Sequence, residues 1–391
     1  MNTKNKLLFL SASERWNLGD LLFPVVFKHY ADAAGRTFTN VGLTQYDSDD
    51  ADIVPVEDVV GHLDSSDISL VVGGGEVLGA NLAILALFLH GNQALKKDFR
   101  WSLDALEALT PSKGTPNKVR ALLLNMAKRE VAKKMQRRFG LPSSEVLPFY
   151  AAVLPQSRRF YLPVGGRFPN SSLPVLRQSE GNTVAVAGRD RRTAASFPEH
   201  MQAALVPDPV STIDRVFPDP AAKVKRVVIQ LSMHKLALGL DRLQHLLEQF
   251  IERGYEVVGL AIGRCPGHHD QSSLEELAKR VPRMHTNFSS SVRESVNLLA
   301  ESEVYMGTSL HGAILSHAYG NAVLAMDEMV PKLDDYLNTW MGDHAFHVTR
   351  RSEDEAIFQF VSQFQAHLAK ENASELASKS EVYIKRVLEL A

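Results

Sequence analysis

Val304-Tyr305-Met306-Gly307-Thr308-Ser309-Leu310-His311-Gly312-Ala313-Ile314, running on to Tyr319-Gly320-Asn321 and Ala322-Val323-Leu324-Ala325, is the stretch that decides the fold. The apolar Val304–Met306 predicts a buried strand, and the small residues after it predict a tight turn. An apolar run of helix length follows and stops at Gly320, a residue suited to the position after a helix. A second short strand, Ala322–Ala325, comes next. Strand, helix and strand in this order make a βαβ unit, and such units build parallel sheets. Thr308 or Ser309 caps the helix, which leaves its first-turn amides open to an anion. His311 then falls in the first turn, at the mouth beyond the strand, where an imidazole suits proton transfer.

The same alternation runs outward through the chain. In the first half, strands are expected at Lys6–Leu10, Ser69–Val72, Phe160–Val164 and Thr183–Ala187. In the second they are expected at Arg226–Leu231, Glu256–Ala261, Val304–Met306 and Ala322–Ala325. Leu240–Arg253 reads as a helix with Leu243, Leu246, Leu247 and Phe250 on one face; Ser272–Val281 and Arg293–Ala300 are shorter helices of that kind. A chain of 391 residues exceeds the roughly 250–300 at which one core stops growing, so two domains are expected. The prolines and acidic residues between Val206 and Pro220 suit a connection, giving domains at 1–218 and 219–391.

Composition narrows the function classes. A hydrophobic share of 45% with 23% charged residues is that of an ordinary soluble globular protein. A net charge of -2 argues against nucleic acid as a partner. The single cysteine, Cys265, excludes an intramolecular disulfide and a cysteine-based zinc site, fits a reducing compartment, and has no nearby resolving partner. Leu7–Leu10 is followed at once by Ser-Ala-Ser-Glu-Arg, so it reads as a strand and not a signal sequence. The run Leu82–Leu89 is far short of the roughly 20 residues that span a bilayer. A soluble, cytoplasmic protein is expected. Residues 117–139 read as a basic amphipathic helix, with Lys128, Arg129, Lys133, Lys134, Arg137 and Arg138 opposite an apolar face. Its basic side is either a solvated face or a surface for peripheral docking on a membrane or a lipid-linked phosphosugar.

Three further constellations carry chemistry. Asn17-Leu18-Gly19-Asp20 follows the first strand and precedes an apolar helix starting near Leu21. Asp20 either caps that helix or, with Asn17, contacts a sugar at the strand's carboxyl end. Gly73-Gly74-Gly75 follows a buried strand and removes every side chain where something must approach the backbone. It fits neither dinucleotide-binding nor P-loop spacing, so nicotinamide cofactors and nucleotide hydrolysis lose support. Arg189 ends a strand and begins Arg189-Asp190-Arg191-Arg192-Thr193; its guanidinium suits a carboxylate or phosphate, whereas Arg191 and Arg192 read as the start of a solvated helix. The loop His268-His269-Asp270 offers metal ligands, but adjacent histidines on a loop point apart, so it reads as a surface loop or a cleft lining.

The order Asn17–Asp20, Gly73–Gly75, Arg189–Thr193, Asp208-Pro209 and Ser309–Gly312, with Lys332 downstream, resembles the polysaccharide pyruvyltransferase family. The resemblance implies two Rossmann-like domains facing across a cleft, as in GT-B enzymes, with terminal helices returning to the first domain. It implies phosphoenolpyruvate as donor on the second domain, and a sugar or lipid-linked saccharide acceptor held by the first. Arg189, His311 and Lys332 are then the catalytic candidates. Asn17, Gly19, Asp20, Gly73, Gly74, Gly75, Thr308, Ser309 and Leu310 are the substrate-binding ones. The implied chemistry needs no metal and no cofactor beyond the donor. One departure is Ser309, where many relatives place arginine. The alternatives are a nucleotide-sugar glycosyltransferase, with the diphosphate at residues 307–313 and Asp327 or Glu328 on the ribose, and a non-catalytic binding protein.

Overall fold

A computed structural model describes residues 6–46, 52–60, 67–80, 153–154, 156–168, 180–265 and 268–391, with isolated positions between them. The basic helix read at 117–139 lies outside the described residues except for Met126, Arg129, Glu130, Lys133 and Arg137, which are helical and exposed. Its docking surface is therefore outside them too, as is nearly all of Leu82–Leu89.

The first sheet contains β1 (Lys6–Leu10), β2 (Thr39–Gly42), β3 (Val54–Pro55), β4 (Ile68–Val72), β5 (Arg158–Val164), β6 (Thr183–Gly188) and β7 (Ala204–Leu205). Its order is β3-β2-β1-β4-β5-β6-β7, and its paired strands run parallel. The second sheet contains β8 (Val224–Gln230), β9 (Glu256–Leu260), β10 (His285–Asn287), β11 (Ser302–Gly307), β12 (Ala322–Ala325) and β13 (Ala345–His347). It is ordered β10-β9-β8-β11-β12-β13, again with parallel pairs. Each half therefore repeats the doubly wound Rossmann order, and the chain has the expected architecture of two α/β domains facing across a cleft. The strand order reverses between β1 and β4 and between β8 and β11. Open α/β sheets hold ligands in the crevice beyond such points.

The eight expected strands are present, with ends shifted by at most two residues. Unexpected are β2, β3, β7, β10 and β13, all four residues or shorter. β3, β7, β10 and β13 are the sheet edges, where partial exposure leaves no continuous apolar run to read, and β2 is mostly buried but reads Thr39-Asn40-Val41-Gly42. The central strands β4 and β12 are buried throughout, as strands covered by helices on both faces must be.

Three apolar clusters hold the molecule together. One spans both halves: Phe9, Phe23 and Phe27 pack in the same cluster as Val296, Ile314 and Leu315. The helix Leu18–Ala33 of the first half thus meets Val292–Ala300 and Leu310–Ala318 of the second. Fully burying a large apolar side chain contributes about 1.5–3 kcal/mol, so these residues define a firm interface. The other clusters lie on the remaining faces of the two sheets, around Leu70 and Tyr161 and around Ile229 and Phe250. The last helix, Ala366–Leu390, lies against the first sheet: Tyr383 Oη donates to the Tyr161 carbonyl at 3.0 Å, and Ser69 Oγ to that of Ala391 at 2.7 Å.

Candidate active site in the interdomain cleft

His311 is carried on the helix Leu310–Ala318, which begins where β11 ends. Of the two candidate caps, Ser309 holds the position, its Oγ accepting from the Gly312 amide at 3.3 Å. Thr308 turns the other way and donates through its amide and hydroxyl to Gln230 Oε1, at 3.0 and 3.2 Å. Gly307 and Gly312 are needed because a Cβ on either would lie 2.3 Å from the Tyr305 hydroxyl. That hydroxyl donates to the Ser309 carbonyl at 3.1 Å and braces the turn.

The imidazole belongs to the second half but is seated in the first. A Cβ on Gly19 would lie only 1.7 Å from His311 Nδ1, and one on Gly75 would lie 3.3 Å from its Cε1. Phe23 meets the ring edge-on, with centroids 5.7 Å apart. On the other edge, His311 Nε2 is 3.3 Å from Arg189 Nη1 and 3.5 Å from Asp208 Oδ2. A guanidinium only donates and a carboxylate only accepts. The pair therefore satisfies Nε2 whether or not it carries a proton, which an acid–base group requires.

Arg189 is fully buried at the end of β6. Its guanidinium donates to Asp208 Oδ2 and to Glu76 Oε1, both at 3.0 Å, with Asp190 Oδ2 at 3.8 Å. Gly165 makes room for it, since a Cβ there would lie 2.4 Å from Nη2. Burial opposes its charge, but Asp208, Glu76 and Asp190 together hold its pKa above the ordinary arginine value. Burial likewise disfavours charge on Asp208, but a hydrogen bond from His311 and the fields of His311 and Arg189 hold that carboxyl below its usual range. Asp190 caps the short helix Arg191–Ala194, accepting from the Thr193 amide at 2.7 Å. Arg192, read from sequence as solvated, instead reaches into the cleft and donates to Glu76 Oε1 at 2.7 Å. Partial burial would raise the Glu76 carboxyl, but the fields of Lys332, Arg189 and Arg192 outweigh it and hold its pKa at about 2.

Asn17 and Asp20 close the same cleft from β1. The helix begins at Leu18, so Asn17 and not Asp20 occupies the cap position. Asp20 instead accepts from Asn17 Nδ2 at 2.9 Å, from Arg15 Nη2 at 3.2 Å and from the Gly75 amide at 3.2 Å. It ties the β1 loop to the glycine loop after β4. In that loop Gly74 has φ +124, and a Cβ on Gly73 would strike the Phe9 ring at 2.5 Å.

These loops surround a cavity of about 640 Å³. Asn17, Asp20, Gly75, Thr308, Ser309, Leu310, His311 and Lys332 line it, whereas Gly19, Gly73, Gly74 and Arg189 stand behind its wall. Arg189 faces carboxylates of the protein itself, so here it positions neighbours and does not meet the cavity. Glu76, Arg192, Arg15 and Lys235 also line it and were not singled out from sequence. Glu76 directly follows the three glycines, which was the available signal; Lys235 had none, since β8 comes beside β11 only in the folded sheet. Burial, and then repulsion from Lys235 and Arg189, draws the Lys332 pKa down to about 8 against the pull of Glu76. His268 lines the cavity too, and burial with nearby Lys235, Lys332 and Arg15 holds it well below its ordinary range. Asp270 is buried, accepts from the Gly263 amide at 2.8 Å, and has its pKa raised to about 6 by burial. Burial raises the Cys265 thiol to about 11.

Asp327 and Glu328 do not line this cavity. Asp327 is bonded to His347, and Glu328 to Arg350 through the amide at 2.9 Å and Nε at 2.8 Å. Among the described residues, Asp327, Asp334 and His347 form a group whose ligand atoms lie within 4.8 Å of one another. No helix among the described residues is long and apolar enough to cross a membrane.

Fold and site together define a two-domain α/β protein with a cationic cleft at paired switch points. Residues 181–327 match the model of the family described as polysaccharide pyruvyl transferase, which supports the resemblance drawn from the motif order. That segment includes Arg189, Asp208 and His311 and stops short of Lys332. No curated protein matches the chain. Among solved structures it is similar to a putative UDP-N-acetylglucosamine 2-epimerase from Listeria monocytogenes, with 11% identity over 99% of this chain and 94% of that one and a TM-score of 0.49. It is also similar to the UDP-GlcNAc 2-epimerase of Neisseria meningitidis bound to UDP-GlcNAc, with 10% identity, coverage of 98% and 99%, and a TM-score of 0.46. A glycosyltransferase from Rickettsia africae matches with 11% identity, coverage of 99% and 96%, and a TM-score of 0.45.

Proposed function

We propose that the protein transfers the pyruvyl group of phosphoenolpyruvate to a sugar of a polysaccharide or its precursor, forming a pyruvate ketal. The observation that carries this reading is the meeting of His311, Arg189 and Asp208, all within the matched segment, beside the cavity cations Lys332 and Arg192. In the reaction the methylene carbon of the donor gains a proton and its second carbon becomes oxocarbenium-like. One sugar hydroxyl attacks that carbon, the carbon–oxygen bond to phosphate breaks, and a neighbouring hydroxyl closes the ring. Of the two hydroxyl protons lost, one replaces that delivered to carbon and the other leaves with phosphate.

The cavity supplies what these steps need. Lys332, Arg192 and the first-turn amides beyond Ser309 neutralise the carboxylate and phosphate. His311 moves the proton, a role worth about 10²–10⁴-fold. Arg189 and Asp208 hold its Nε2 edge, and Asn17 with Asp20 borders the acceptor side.

Thermal unfolding of wild type and His311→Ala, with and without phosphoenolpyruvate, tests the proposal. A ligand at a hundredfold its dissociation constant stabilises by about 2.7 kcal/mol. The expected result is a wild-type shift that shrinks in the variant. A response to uridine or guanosine diphosphate with none to phosphoenolpyruvate would instead point to a nucleotide-sugar glycosyltransferase.

A further inference from the structure

Three cations around the cleft have a counter-charge: Arg189 and Arg192 pair with Glu76, and Arg15 pairs with Asp20; Arg167, which also lines it, is exposed. Lys235 and Lys332 are different. Both line the cavity and are only partly exposed, and among the described residues neither ammonium has a hydrogen-bond or ion-pair partner. Opposite charges act on them only as fields: Asp270 and Glu76 on Lys235, and Glu76 and Asp20, the latter already paired with Arg15, on Lys332. Glu76 is already committed to two arginines, and Asp270 to the Gly263 amide.

Topology explains the convergence. Lys235 sits in the turn Met233–Lys235 just beyond β8, and β8 pairs with β11 up to Gln230 opposite Gly307. Gln230 then clamps Thr308, so the turn bearing Lys235 stands beside the Thr308–Leu310 turn. Lys332 comes from beyond β12, on the other side of β11. The two lysines therefore reach the same cavity from the strands on either side of β11, which leads into the His311 helix. Burial first, and then both lysines, disfavour charge on His268, which lines the same cavity. Two partly exposed cations without a hydrogen-bonded or ion-paired counter-charge, in a cavity that the first turn of the His311 helix also lines, favour an anion there.

We propose that Lys235 and Lys332 form a two-point clamp for a phosphate monoester on the second-domain wall of the cleft. Lys235 supplies there the positive charge that Ser309 does not. This deepens the donor-site reading above and rests on it only for the identity of the ester. The flexible ammonium of Lys235 meets phosphate as a point charge, and Lys332 shares the dianion from the opposite side.

The test is calorimetric titration of the full chain with phosphoenolpyruvate, inorganic phosphate and uridine diphosphate. The variants are Lys235→Met, Lys235→Arg, Ser309→Arg, His311→Ala and the double variant K235M/S309R. A charge-assisted contact supports a loss of about 10–100-fold in affinity for phosphoenolpyruvate and inorganic phosphate in Lys235→Met. Lys235→Arg and the double variant should recover at least half of that loss on a logarithmic scale. Without ligand, Lys235→Met should melt at or above the wild-type temperature, because an uncompensated charge is removed; a merely structural lysine would give a lower one. Unchanged affinity in Lys235→Met overturns the clamp, and a simultaneous loss in His311→Ala leaves the pyruvyl-donor reading standing. If only inorganic phosphate and uridine diphosphate bind, and both weaken in Lys235→Met, the clamp stands and the donor reading falls. A wild-type protein that binds none of the three overturns the clamp.

Discussion

Gly19→Ala is the sharpest perturbation of the seat that holds His311. The new methyl would lie 1.7 Å from Nδ1, while ordinary contact begins near 3.4 Å, so ring or helix must retreat by about 1.7 Å. The ring has little freedom, since Phe23, Arg189 and Asp208 enclose it. Overpacking of this kind costs about 1–3 kcal/mol, and a shift of about 1 Å in a reacting group costs roughly 10²-fold in rate. The variant should therefore stay folded, lose about 1–3 kcal/mol, and fall about a hundredfold or more in kcat/KM. Rate is measured by phosphate release from phosphoenolpyruvate with an acceptor found by screening, and stability by denaturant midpoint. Gly181→Ala is the control, because its Cβ would meet nothing within 4 Å. A Gly19→Ala protein as active and as stable as that control would show that the imidazole does not rest against Gly19.

Two further outcomes follow from the same site. Asp208→Ala removes one of three carboxylates around the buried guanidinium of Arg189, leaving Glu76 and Asp190, and should cost about 1.5–3 kcal/mol by denaturant midpoint, whereas Asp208→Asn keeps the shape, should be milder in stability, and should lower kcat far more than it raises KM. The Lys332 pKa of about 8 lies below its ordinary 10.5, so the ammonium is present below about pH 8 and donor affinity should decline as pH rises through that value. Titration across pH 6.5–9.5 checks it: bound donor should move the limb upward, Lys332→Arg should remove it, and a limb unmoved in Lys332→Arg would assign it elsewhere. Linkage runs the opposite way for the ligand-free fold, because between about pH 8 and 10.5 the unfolded chain binds the extra proton and this lysine's contribution to stability rises with pH.

Much of the fold was legible before any coordinates, and particular residues show why. Strands β1, β4, β11 and β12 carry short apolar runs because helices cover both their faces, and that pattern survives in one dimension. The edge strands β7, β10 and β13 have only part of that cover and left no run to find. The Ser309 cap and the Gly320 stop were equally readable, since both are local chemistry. Arg192 shows the reverse: a charged first turn reads as solvent-facing, and only the folded sheet brings Glu76 within 2.7 Å of it.

The amino-acid order by itself determined that this chain forms parallel α/β units, that glycines clear the turns after β1 and β4, and that a histidine opens the helix after β11. Those properties depend on neighbours a few residues apart, through propensity, capping and the steric freedom of glycine. Only the tertiary structure decided that His311 enters the first domain over Gly19, that Asp208 and Arg189 share its far edge, and that Lys235 and Lys332 face the same cavity. The contacts of His311 cross a hundred residues or more, and they are created when two sheets bury one apolar cluster between them; electrostatic fields act through space, and no local pattern encodes which charges the packing will bring together.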